Sequence, residues 1–208
     1  LFKMEQKQLL ENLVLPEPVV WFHSREEYLP SSMDTMLATA QVWNGDQKLT
    51  DLSESKDPVG SLISNYNQEG ISLRHTSLAG SLDAPMYVRI DRRDPNVIRI
   101  VYFALFPYNG PLSCCGTPSC LACPVGDHQG DLERCTILID PKSLLIRQVY
   151  FGAHQSKDGV WKNGDQIEYL EEDGKKRPIF YSAWHSHAFY DQPGKWIRYF
   201  GFANDYTE

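Results

Sequence analysis

Val97-Ile98-Arg99-Ile100-Val101-Tyr102-Phe103-Ala104-Leu105-Phe106 is a nearly unbroken run of β-branched, aromatic and aliphatic residues. A run of this length and composition reads as a central, buried strand. Working outward, residues 86–90 alternate apolar and polar, as a half-buried strand does. Residues 134–139 and 145–151 give two more strands, separated by the turn signal Asp140-Pro141. Residues 167–170 and 178–183 flank a charged turn at 171–176, and residues 19–22 form a strand near the start. Short strands separated by turns, with few helical patterns, predict an antiparallel β-sandwich.

Residues 3–14 carry Met4, Leu9, Leu10 and Leu13 at near-helical spacing, and Pro16 and Pro18 end that pattern. A short N-terminal helix is expected there. The pair Ser31-Ser32 can cap a second short helix over residues 33–39. Residues 44–82 are polar and rich in Gly, Ser and Asn, and are expected to be mostly irregular. The chain therefore divides into a leading helix and linker (1–17) and one sandwich domain (18–208) with a Cys-rich loop at 112–125. The formal net charge of -7 argues against a nucleic-acid partner, which needs a basic face. No apolar run approaches the roughly 20 residues that span a bilayer. These features predict a domain that is soluble or peripheral to membranes.

The densest chemistry lies in Gly126-Asp127-His128-Gln129-Gly130-Asp131-Leu132-Glu133, directly before the strand at 134–139. Alternate strand residues share a face, so Asp131 and Glu133 point the way Cys135 and Ile137 do. Two carboxylates near a core repel each other, and a divalent cation removes that cost. His128, in the preceding turn, supplies a nitrogen. His128, Asp131 and Glu133 are thus candidate ligands for Ca, Mg, Mn or Zn. The competing reading pairs the two carboxylates with Arg134, Arg147 or Arg177. His23, His154, His185 and His187 each follow a strand, and with Asp127 they mark a candidate polar pocket; His154, His187 or a water is expected to complete the metal shell.

Cys114, Cys115, Cys120 and Cys123 crowd into ten residues. Cys120 and Cys123 have zinc-knuckle spacing, but adjacent Cys114 and Cys115 fit one ion poorly, so local disulfides are favoured over zinc. Cys135 reads as a buried thiol. No G-x-S-x-G nucleophile elbow is present.

The sequence resembles the vacuolar-protein-sorting-62-related family. The resemblance rests on Trp21-Phe22-His23 with Tyr28-Leu29-Pro30-Ser31-Ser32, on Phe106-Pro107-Tyr108-Asn109-Gly110-Pro111, on the segment from Gly126 to Glu133, on Val149-Tyr150-Phe151-Gly152-Ala153-His154, and on Pro178-Ile179-Phe180-Tyr181-Ser182-Ala183 with His187-Ala188. The order is the family's, over about residues 18 to 196. More distantly, residues 128–133 resemble the His-x-x-Asp-x-Glu core of necrosis- and ethylene-inducing-like toxins. Those are β-sandwiches that hold a divalent cation with this segment. The likeness implies a metal role for His128, Asp131 and Glu133, and not toxicity. The sequence departs from the family at Leu132, where Trp is usual, at Ser24, where Pro is usual, and in the Cys-rich insert.

These readings predict a non-enzymatic binding domain whose metal-bearing pocket holds a polar lipid headgroup, a glycan or a protein. The resemblance adds membrane trafficking and an endomembrane or secretory setting. A metal-dependent hydrolase using His154 or His187 as base is the enzymatic alternative. A scaffold with a purely structural metal is the third.

Overall fold

The computed structural model describes residues 14–54, 56, 71–111, 113–114, 126–153, 159–198 and 203–208. The expected helix at 3–14, His154, Cys115, Cys120 and Cys123 lie outside these residues. Cys114 is described by its backbone alone.

The described chain is mainly β. Its strands are β1 (Val19–Phe22), β2 (Ala40–Asn44), β3 (Gln47–Asp51), β4 (Ile71–His75), β5 (Tyr87–Asp91), β6 (Ile98–Asn109), β7 (Ser113–Cys114), β8 (His128–Ile139), β9 (Ile146–Phe151), β10 (Val160–Asn163), β11 (Tyr169–Glu172), β12 (Lys175–Ser182), β13 (Phe189–Tyr190), β14 (Gly194–Trp196) and β15 (Ala203–Thr207). One α-helix, α1 (Met33–Thr39), starts where the serine pair predicts: the Thr35 amide donates to the Ser32 hydroxyl at 3.0 Å.

Two layers make the sandwich. One is a five-stranded antiparallel sheet in the order β10-β9-β8-β6-β5. The other runs β1-β12-β11, with β13 also on β12. Its β1–β12 pair is parallel, the one departure from antiparallel pairing among the described strands. Inward residues of both layers form one core: Ile100, Tyr102, Phe106, Cys135, Ile137, Val149 and Phe151 from the first, Phe180 and Phe189 from the second. Phe151 meets Phe180 at 4.8 Å between ring centroids, and Phe22 meets Phe106 edge-on at 6.2 Å. Such ring contacts across the gap are what fix two sheets face to face. The other face of β12 is also buried, under Tyr190 and Trp196.

Two expectations change. Among the described residues, 44–82 are not irregular throughout: β2, β3 and β4 form a three-stranded sheet, with Ala40, Val42 and Leu52 as a small core beside it. The strand expected at 134–139 begins six residues earlier, at His128, and pairs with β6 as far as Asn109. His128, expected in a turn, therefore lies on the same strand as the two carboxylates. The register runs unbroken from Asn109↔His128 to Ile98↔Ile139, and Gly130 takes φ +73° within it. That left-handed step is one glycine takes without a Cβ clash.

Candidate functional site

Beyond Gly130 the alternation of β8 is regular. Glu133, Cys135, Ile137 and Ile139 are buried, and Leu132 on the opposite face is 56% exposed. Asp131 and Glu133 therefore share the inward face, as the spacing predicts, where the core gives out. Glu133 is only 9% exposed. Burial, then the charges of Asp131 and Asp205, push its carboxyl well above the usual range, against the Arg134 amide and guanidinium.

Asp131 is paired, but not with an arginine. Its Oδ2 accepts a hydrogen bond from Nδ1 of His187 at 3.1 Å. The His187 ring is fully buried and lies flat on Phe106, with centroids 3.8 Å apart and planes 3° from parallel. Its Nε2 faces Oε1 of Glu26 at 3.6 Å, within ion-pair range and too far for a direct hydrogen bond. The Glu26 side chain is 2% exposed and also accepts the amides of Tyr28 at 2.8 Å and His185 at 2.7 Å. Burial alone would strip the proton from His187, but Asp131 and Glu26 outweigh it and raise its pKa. Burial likewise opposes the charge on Glu26, and His187 with the two amides outweighs it and lowers that pKa. The result is a buried carboxylate–imidazole–carboxylate chain that links the loop after β1, the β12–β13 turn and β8.

The turn that carries His187 is strained. His185 and His187 hold φ of 65° and 56°, the left-handed region that β-carbon-bearing residues rarely occupy. Backbone bonds fix it: His187 N–H donates to Ala183 O at 2.9 Å, and Ala183 N–H to Ala188 O at 2.9 Å. The period-two spacing of His185 and His187 thus belongs to a turn and not to a strand face. The His187 side chain is fully buried, and both its nitrogens face carboxylates.

The other nominated residues fall around this chain. His185 touches Tyr28 and Trp184, and its Nδ1 lies 3.1 Å from Pro111 O. His23 stacks on Trp184 at 5.1 Å and meets Glu208 at 3.2 Å. Burial lowers its pKa despite Glu208. Asp127 accepts the Tyr108 hydroxyl at 2.7 Å, and that bond pushes Tyr108 up to about 12. Three of the four strand-end histidines thus converge. His128 is exposed, with Nδ1 3.2 Å from Gly130 O, outside the buried pair. Arg177, offered by the ion-pair reading, instead meets Glu172 at 3.6 Å.

Sequence reading missed Glu26 and Asp205. Asp205, buried on β15, accepts hydrogen bonds from Ser186 at 2.9 Å and Tyr190 at 2.6 Å and lies 3.5 Å from Arg198. Neither acid sits in a pattern that marks it, and only the fold brings them beside β8.

Comparison with known families decides the broad identity. A family model described as vacuolar protein sorting-associated protein 62 matches residues 3–204. The chain belongs to that family. No curated protein matches the chain, and no solved structure does. Family members are described by a role in vacuolar protein sorting, and among the described residues no helix is long and apolar enough to cross a membrane.

The donor chemistry at Asp131 and Glu133 suits a hard cation. Among the described residues no group of three or more His, Cys, Asp or Glu side chains stands arranged around one point to hold a metal ion.

Proposed function

We propose that this domain of the vacuolar protein sorting-associated protein 62 family is a non-enzymatic binding module whose Asp131 and Glu133 hold a divalent cation at the end of β8. One observation carries the reading. Glu26, Asp131, Glu133 and Asp205 are four acids at a single buried locus, against His187 and Arg198. Excess negative charge in a desolvated place is costly, and a cation offsets it. With His187 engaged by carboxylates at both nitrogens, oxygen donors remain, which favours Mg²⁺, Ca²⁺ or Mn²⁺ over Zn²⁺. A cation held by two carboxylates keeps coordination positions open. Those positions would take an oxygen of a polar headgroup, a glycan or an acidic protein side chain.

The test is calorimetric titration of the whole chain with MgCl₂, CaCl₂ and MnCl₂, alongside thermal melts in chelator and in excess metal. One bound ion and a rise in melting temperature are expected, because a ligand that binds only the folded state stabilises it. Asp131→Asn should abolish both. No binding heat for any of the three ions, with unchanged melts, would leave the acids as a purely structural network.

A further inference from the structure

We propose that the outer face of the five-stranded sheet is a docking surface for an anionic lipid bilayer, held by Arg89, Arg99 and Arg134 and seated by Trp161 and Leu132. On β8, residues 132, 134, 136 and 138 alternate with the buried 133, 135, 137 and 139, and so point away from the core. Strand register carries that face from edge to edge. One row runs Arg89, Val101, Thr136, Tyr150, Trp161, each the direct partner of the next. Arg99 pairs with Leu138 in the row on one side, and Phe103 with Arg134 in the row on the other. The three arginines are exposed, and they stand on three different strands around Val101 and Thr136.

Their charge is uncompensated. Arg74, Arg93, Arg177 and Arg198 each face a carboxylate in ion-pair range. Among the described residues, Arg89, Arg99 and Arg134 face none. The acid in these rows is Asp91, and Arg93 already holds it. A chain of net charge -7 thus keeps a locally positive face. Exposed charges are screened beyond about 8 Å at physiological salt, and the layers of a sandwich stand about 10 Å apart, so acids of the other layer do little against the field here. The apolar part decides the partner. Leu132 is 56% and Trp161 44% exposed, and the Trp161 ring lies against Tyr150 at 5.1 Å. Across five strands the face is about 20 Å wide. Its occupant has to present negative charge over that width, with an apolar layer directly beneath for Trp161 and Leu132. An anionic bilayer supplies both: guanidinium groups meet the headgroup anions, and tryptophan and tyrosine rings settle at headgroup level. An acidic protein segment supplies its charge along a line.

The test is flotation of the whole chain with vesicles of phosphatidylcholine alone, and of phosphatidylcholine and phosphatidylserine in equal parts. Every arm is run in chelator, so that no metal ion bridges protein and lipid and the result is independent of the cation reading. Binding to the mixed vesicles, none to the neutral ones, and a steep loss with added NaCl are expected. Each arginine close to an anionic surface is worth about a fivefold change in partitioning. Arg99→Gln and Arg134→Gln should each lose about fivefold, and the triple variant that adds Arg89→Gln about 100-fold, with a flatter salt dependence. Trp161→Ala should weaken binding at every salt concentration without changing that dependence. Lys176→Gln removes a cation of the other layer, one already paired with Glu171, and should bind as the unsubstituted chain does. If the triple variant does not fold, the two single variants decide the matter. Equal binding to neutral and mixed vesicles, no binding to either, or undiminished binding by the arginine variants overturns the inference. Capture of poly-glutamate through the same arginines, without vesicle binding, assigns the face to an acidic protein and overturns it as well.

Discussion

Replacing Glu133 by Gln tests the electrostatics of the site with almost no change of shape. The carboxyl of Glu133 is raised well above the ordinary 4.5 by burial and by Asp131 and Asp205. The folded protein therefore keeps a proton that the unfolded chain loses as pH rises past 4.5. Across that window the folded state binds more protons, so stability falls with rising pH, and one proton corresponds to about 1.4 kcal/mol per pH unit. The penalty is absent below 4.5 and complete above the folded-state value. Gln has no such slope. In chelator, urea unfolding from about pH 5 to about pH 8 should show Glu133→Gln gaining on the unsubstituted protein as pH rises. Glu26, whose pKa is lowered, loses its contribution only as pH falls below its ordinary value of 4.5, outside this window. His187, whose pKa is raised, adds a decline above 6.5 that both proteins share, so the difference between them isolates Glu133. With excess Mg²⁺ the order should reverse, because the ion stabilises the carboxylate form and the Gln variant binds it weakly. Parallel stability curves in chelator would refute the reasoning, since they would mean that the Glu133 carboxylate is already compensated without an ion.

Phe106→Ala removes a fully buried ring from the contact with His187 and Phe22, and should cost about 3–5 kcal/mol in urea unfolding. Gly110→Ala should be destabilising by about 1–3 kcal/mol on the same measure, because its Cβ would come within 2.7 Å of the His185 and Tyr28 rings. Tyr108 and Tyr181 donate to the carboxylates of Asp127 and Glu168 and should ionise only near pH 12, against about 10 for a free tyrosine. Their bonds are intact below pH 10 and are lost as pH passes the raised values, so an ultraviolet titration of Tyr181→Phe should lose one late-ionising group.

The strands legible in the sequence are those whose two faces differ. On β6, Ile98, Ile100 and Tyr102 are buried while Arg99 is exposed, and on β8 the buried residues 133, 135, 137 and 139 alternate in the same way. The start of β8 is not legible as strand because residues 127–131 are polar or Gly. Strand β3 escaped for a similar reason: Gln47, Lys48 and Leu49 are all exposed, so a period of two never shows. At the site, Asp131 and Glu133 were legible because a strand sets their spacing. Glu26 was not, because it meets His187 across 161 positions of sequence, and only the placement of β1 beside β12 closes that distance. The left-handed turn that carries His187 is not encoded in the period-two spacing of His185 and His187.

The cost of this arrangement bears on what it is for. Two non-glycine residues in left-handed conformation cost about 1–3 kcal/mol each. Burying a protonated imidazole between two carboxylates forfeits hydration of all three, and such networks often gain no stability over apolar residues of the same volume. Glu133 adds a carboxyl that resists ionisation. A domain with an apolar core as continuous as that between β6, β8, β9 and β12 has no need of these groups to fold. The same core is what holds them: Phe106 belongs both to the cluster and to the stack on His187, so any relaxation of the turn would open the hydrophobic interior. The left-handed turn at His185 and His187, the buried imidazole and the raised Glu133 carboxyl gather at the edge of the sandwich. Such a gathering of costly groups supports the proposed binding site.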